Sequence, residues 1–433
     1  MVNRKTEIAI IGAGAAWLMC GLRLAESLDE HQANITIYEK NSEIGKKIRI
    51  SWGGRCNFTT GREEKSHILE AYIRGSQFLK YGIGKYSPIK IREFFALHGV
   101  ESHMEDDGRV FPMSNKSSDI IEVFERVIAT HDHLNLSTKM SLTSLKQQSE
   151  QFELIFVTGE QIIADIVVLT TGGNAYAHTG SSGDGYEFAR SLGHTITPLS
   201  PSLNSFEALP LFGDFALLQW VSLKQVAFRE SGKSEILTQG DMIFTHFGIS
   251  GPWVFALAAS LAYREITPQN TIKLTLALTS ENFEQVEQRL IKILNEHPKK
   301  TLANILHLLI PLPERFSDLL WKQNKSINLE QTATTLSRDE RKQIIHVLLD
   351  SISIFLTKRR PWDEFVTAWG INTDEVSNKT CESKITPNLY FAWEILNIDG
   401  ITGGFNFQSC WVTASLVSEE IIERIAKNLT EQA

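Results

Sequence analysis

Cysteine is scarce in this chain of 433 residues: only Cys20, Cys56, Cys381 and Cys410 occur, and no two form a CxxC pair. That excludes a disulfide framework and the common zinc-ribbon spacings. No run of about 18 apolar residues is present, so no transmembrane helix and no membrane partner are expected. No block of Lys or Arg is present either, and 43 basic against 51 acidic residues leave a net charge of −8. An acidic chain without a basic tract argues against nucleic acid as the main partner. Internal repeats are absent. What remains is an ordinary globular composition, 42% hydrophobic and 22% charged, in a chain long enough for two or three domains.

The N-terminus has a superficial likeness to a secretory leader, because Arg4 and Lys5 precede an apolar run from Ile8 to Leu22. Glu7 interrupts it and no small-residue cleavage site follows. A strand, a glycine turn and a helix account for the same residues, and a cytoplasmic location is expected. Ile8–Ile11 reads as a buried parallel strand, residues 15–27 as a helix, and Ile35–Tyr38 as a second strand ending at Glu39. Helices are expected over 89–98, 118–130 and from about 183 to 192, and strands over 152–157 and 163–169. After Pro198 the pattern shifts to short strands at 221–228, 242–244 and 272–278, then to a helix-rich block over 282–358. A strand at 388–395 and a helix over 409–426 close the chain. The simplest arrangement is one α/β domain built from 1–197 and 351–433, with residues 198–350 inserted as a β-rich and helical domain.

Three loops carry chemistry. In the first, Gly12-Ala13-Gly14-Ala15 follows the first strand and opens a helix. Such a turn lets a pyrophosphate approach the free N–H groups of a helix N-terminus. Glu39, at the end of the second strand, is placed for a ribose hydroxyl. The plain alternative is a strand–turn–helix with no ligand. The second loop, Ser51 to Asn57, holds Gly53, Gly54, Arg55 and Cys56, with Lys46, Lys47 and Arg49 just before it. It can pass beneath a cofactor, its cations offsetting phosphate charge; alternatively it is a solvated turn. Cys56 reads either as a redox thiol or as a small packing residue. The third loop, Asp399 to Asn406, contains Gly400, Gly403 and Gly404 and leads into the last helix. Its N–H groups are suited to a flavin carbonyl, and Asp399 to hydroxyls of a ribityl chain or simply to a turn.

In several segments the chain resembles the BaiN/YhiN-type bacterial flavoproteins, NAD(P)/FAD-dependent oxidoreductases of the aminoacetone-oxidase family. The matching stretches are residues 10–18, 38–57, 108–119 (GRVFPMSNKSSD), 171–192 (TGGNAYAHTGSSGDGYEFARSL), 244–252 (FTHFGISGP) and 382–408 (ESKITPNLYFAWEILNIDGITGGFNFQ). The resemblance implies a glutathione-reductase-type, Rossmann-like FAD-binding domain with an insertion. It implies that Gly12, Gly14 and Glu39 are ligands on the adenosine side. Lys40, Lys47, Gly53, Gly54, Arg55, Cys56 and Asn57 then lie beside the pyrophosphate and flavin, with Thr171 and Gly172 at a strand end near the cofactor. Asp399, Gly403, Gly404, Asn406 and Phe407 form the flavin-side loop. No catalytic acid or base follows from it. His246 is a candidate acid or base if the insertion closes over the flavin, and Arg55 a candidate for holding an anionic substrate.

The sequence departs from the family pattern in one recurring way. Trp17, Trp52, Trp369 and Trp393 stand where the pattern has glycine, and Trp220 does the same. Overpacking at one such site costs roughly 1–3 kcal/mol. A single bulky residue type at so many glycine positions fits UGA codons translated as tryptophan in a gene that reads them as glycine; a divergent or inactive member is the alternative. The expected function is FAD-dependent hydride transfer through flavin N5 on a small molecule, with NAD(P)H as a transient reductant, because no second glycine-loop unit is evident. A flavin-dependent RNA-modifying protein and a non-catalytic FAD-binding module are the competing readings. Oligomeric state is left open.

Overall fold

The computed structural model describes residues 4–210, 215–231, 236–360 and 365–432. It divides into two units, one of Met1–Ser202 with Phe365–Ala433 and one of Leu203–Glu364. Each has its own apolar core. No helix among the described residues is long and apolar enough to cross a membrane.

The first unit is built on five parallel strands. They are β1 (Thr6–Ile11), β2 (Ala33–Glu39), β3 (Leu134–Thr138), β4 (Ile166–Leu169) and β5 (Leu389–Phe391), in the order β5-β4-β1-β2-β3. The continuous apolar runs of β1 and β4 suit strands covered on both faces. Helix α1 (Ala15–Ser27) crosses from β1 to β2. Helix α2 (Gly403–Gln432), with small residues Ser409, Thr413, Ala414, Ser415 and Ser418 in its middle turns, packs against α1 and carries the end of the chain into the same core.

Several expected boundaries shift. The strand anticipated over 163–169 is two strands, Gln161–Ala164 in a three-stranded antiparallel sheet and β4 in the parallel one, broken at Asp165. The Asp165 side chain accepts from the backbone N–H of Glu7, and this bond fixes the break. The strand expected over 388–395 ends at Phe391, where the backbone turns into a short 3₁₀ segment. The last helix begins six residues earlier than expected, because Gly403 and Gly404 join it rather than precede it.

The second unit is a closed six-stranded barrel, in the order Phe206–Pro210, Gly248–Ser250, Ile236–Phe244, Ser222–Glu230, Ile272–Ala277, Ile352–Arg359. Four helices, Phe283–Glu296, Leu302–Leu309, Glu314–Gln323 and Arg338–Leu349, intervene between its last two strands. Two of these helices begin with reciprocal capping boxes, Asn282 with Gln285 and Ser337 with Glu340. The helix-rich block therefore stops at Leu349. Ile352–Arg359 is a barrel strand pairing with Phe206–Pro210 and Ile272–Ala277, so the expected boundary at 350 falls before the end of this unit.

Candidate functional site: a glycine-turn cleft at the end of the parallel sheet

The cleft lies at the carboxyl ends of β1, β2 and β4, where open α/β sheets bind ligands. It encloses about 720 Å³, open solvent included. Gly12 has φ +100°, and a Cβ there would sit 2.9 Å from the Thr170 carbonyl oxygen. Only glycine lets the turn pass this close to β4. The Gly12 N–H donates to Tyr38 O at 2.9 Å, tying the turn to β2. Gly14 is the N-cap of α1 and supplies no side-chain cap, and no acidic residue occupies the first turn. The N–H groups that begin α1 thus lack a capping side chain from the helix itself.

Glu39 is buried at 6% exposure. Its Oε2 accepts from the Ala13 N–H at 2.6 Å, and its Oε1 accepts from the Asn41 N–H and Nδ2 at 2.7 and 2.6 Å. The carboxylate locks the glycine turn to the end of β2 and keeps one lone pair, on Oε2, for a hydroxyl. Lys40 reaches across the mouth, donating to Ser182 and, at 2.8 Å, to Asp184. Burial works to raise the Asp184 carboxyl, but hydrogen bonds from Lys40 and Ser182 and the Lys40 charge outweigh it, and the group is held below its ordinary range. Thr171 and Gly172 line the same cleft, and Thr171 Oγ1 is buried with no hydrogen-bond partner. The cradle at Gly12 fits the phosphates of a dinucleotide, whereas Thr171 Oγ1 packs against Gly185.

The structure brings Gly12, Gly14, Glu39, Lys40, Lys47, Thr171 and Gly172 together here, with Ala15 on the first turn of α1. Lys47 is drawn into a buried pair with Glu394, Nζ to Oε2 2.7 Å, and lies 5.7 Å from the Trp393 ring centroid. The remaining sequence candidates form a second layer. Asn57 Oδ1 accepts from the Val110 N–H, and the side chain abuts Gly404, pinning the second loop to the start of α2. Gly404 sits so close to the Thr59 carbonyl that a Cβ would come within 2.5 Å. Gly53 and Gly54 both adopt positive φ, with open space beside Gly53. Asn406 bonds back to both backbone groups of Gly400 and to Thr402 O, closing the third loop.

Other candidates find different employment. Cys56 is fully buried, and burial pushes its thiol up to about 12, so it packs rather than reacts. The Asp399 carboxylate is buried against Arg74 and Ser202 instead of lining the cleft; burial raises its pKa against the opposing charge of Arg74. Arg55 lies over the Phe111 ring, with its guanidinium held by Glu105 and Asn115, and it does not line the cleft. His246 belongs to the barrel unit, exposed in the turn after Ile236–Phe244. Residues that the sequence reading passed over are Asn41, Asp184 and Glu394. The clustered small residues of TGSSGDG were the one available signal for Asp184.

The flavin end fits less well. The Trp393 ring lines the cleft, comes within 3.4 Å of a Cβ placed on Gly14, and stacks on Phe407 with centroids 6.0 Å apart. Phe407 is thereby covered. Trp52 stands against the first residue of α2, its Nε1 2.9 Å from a Cβ placed on Gly403. Indoles thus stand at two places in this region, Trp393 in the lining of the cleft and Trp52 at the start of α2.

Known proteins resemble this chain over nearly its whole length. It is 27% identical to a 3-dehydro-bile acid delta(4,6)-reductase of Clostridium scindens over 424 residues, covering 96% of this chain and 99% of the relative. It is also 27% identical to a ribosomal RNA dihydrouridine synthase of Escherichia coli over 422 residues, covering 96% and 98%. Among solved structures, a quinol fumarate reductase FrdA chain of E. coli aligns with 14% identity and a TM-score of 0.49, covering 98% of this chain and 71% of that one. The model of the HI0933-like protein Rossmann domain matches residues 6–420, and the chain belongs to that family, the BaiN/YhiN-type flavoproteins.

Proposed function

We propose that this protein is an FAD-dependent reductase acting on a carbon–carbon double bond conjugated to a carbonyl. The observation that carries the reading is a shared reaction. Two relatives, equally similar over the full chain, are named for different substrates. Reducing a delta(4,6) 3-ketone and forming dihydrouridine both add hydrogen across a double bond in conjugation with a carbonyl. FAD, when bound, supplies hydride chemistry of this kind. The chain's own part is positioning: Gly12 and Gly14 admit the phosphates, Glu39 holds a ribose hydroxyl, and Lys40 with Asp184 closes the mouth. NAD(P)H is the proposed reductant, docking transiently.

A small-molecule enone is the first substrate class. The relatives named for ribosomal RNA support a second reading, in which the double bond is that of a uridine in RNA. The net charge of −8 weighed against nucleic acid, but relatives of this name remove that exclusion. The test uses protein carrying glycine at positions 17, 52, 220, 369 and 393, reduced anaerobically with NADPH or NADH. Flavin reoxidation is then followed with a cyclic enone, a steroid dienone and unmodified ribosomal RNA. Reoxidation by any of them supports the reaction class, and dihydrouridine in the RNA selects the second reading. Reoxidation by oxygen alone would overturn the proposal.

A further inference from the structure

Four of the eight tryptophans among the described residues have left-handed backbone: Trp52 (φ 50°), Trp220 (φ 67°), Trp369 (φ 74°) and Trp393 (φ 68°). Few non-glycine residues adopt positive φ, and those that do are mostly Asn and Asp; a bulky residue there is an outlier. The other nine non-glycine residues with positive φ among the described residues are two Cys, two Asn and one each of Lys, Ser, Tyr, Leu and Gln, none repeating a large side chain in this way. Trp220 buries little that could offset the strain, since it is 68% exposed. Trp17 is helical, but it is fully buried with its Nε1–H unpartnered. Trp411 behaves differently: its Nε1 donates to Phe58 O at 2.7 Å, and its ring packs on Phe95 and Phe407 from an ordinary helical backbone.

We infer that the functional chain carries glycine at 17, 52, 220, 369 and 393, and that the volume filled by the Trp393 indole is the flavin half of the cofactor cleft. The second clause rests on the FAD reading above; the first does not. With glycine at 393 the cleft runs from the α1 N-terminus past Lys47 to the face of Phe407, which the indole now covers. With glycine at 52 the start of α2 is uncovered at Gly403.

The gene and two proteins test this. UGA codons at these five positions and UGG at 411 are expected, with glycine masses in the matching peptides of the protein isolated from its own organism; UGG at the five overturns the first clause. Trp220→Gly alone raises the melting temperature, whereas Trp220→Ala, which keeps a Cβ at positive φ, does not; equal melting temperatures count against it. ADP should bind the tryptophan and five-glycine forms alike, while FAD binds the glycine form at least about tenfold more tightly. Equal FAD affinity in both forms overturns the second clause. A five-glycine protein that gains thermal stability yet binds no FAD upholds the glycines and overturns the FAD reading.

Discussion

At the scale of single residues, the Glu39 carboxylate ties two sides of the cleft together. It bonds the Ala13 N–H at the glycine turn and the Asn41 N–H after β2, so one carboxylate sets the distance between two strand ends. Charge-assisted bonds of this kind contribute about 1.5–3 kcal/mol each when buried. Glu39→Ala should therefore weaken ADP binding by roughly 1–3 kcal/mol, measured by titration calorimetry, with the far-ultraviolet circular dichroism unchanged. An unaltered ADP affinity would refute the ribose assignment. The left-handed tryptophans illustrate the opposite case at the same scale. Each costs about 1–2 kcal/mol of backbone strain relative to glycine, and Trp220 buries little that could return it.

At the scale of elements, the third loop is held by a strand pair. Asp399–Gly400 pairs antiparallel with Tyr72–Arg74, and the Asp399 carboxylate joins Arg74 and Ser202 inside the fold. Removing one partner of a buried pair leaves the other charge uncompensated. Asp399→Asn should lower unfolding stability by about 3 kcal/mol in a urea titration. A loss near zero would mean that Arg74 finds another counter-charge. The same pairing gives Asp399 a structural role that its local sequence does not show. An aspartate before a glycine cluster resembles a turn or a ligand, and its partner Arg74 is 325 residues away.

At the scale of the whole molecule, chain ends identify the insertion. Phe206 pairs with Arg359 in the barrel, so the barrel's two ends lie side by side. In the first unit Ser202 pairs with Val366, so the ends left by removing the barrel are also neighbours. Residues 203–364 expressed alone should fold cooperatively on their own core. The complementary protein, with Ser202 joined to Phe365 through a two-residue turn, should keep the cleft and bind ADP. Non-cooperative thermal melting of either piece would show that the units depend on each other for stability.

Local signals alone determined a good part of this protein. The apolar run of β1, the glycine turn and the acidic end of β2 form one contiguous unit of 34 residues, Thr6–Glu39, and its strand–turn–helix reading needed no distant contact. The change of pattern after Pro198 belongs to the same class, because periodicity acts within a few residues. Tertiary structure decided the rest. Whether Asp399 faces a ligand or an arginine, whether Ile352–Arg359 continues a helical block or closes a barrel, and whether Cys56 is reactive all depend on what the chain packs against it from far away in sequence. Burial and ion pairing are set by those distant neighbours, and no local pattern encodes them.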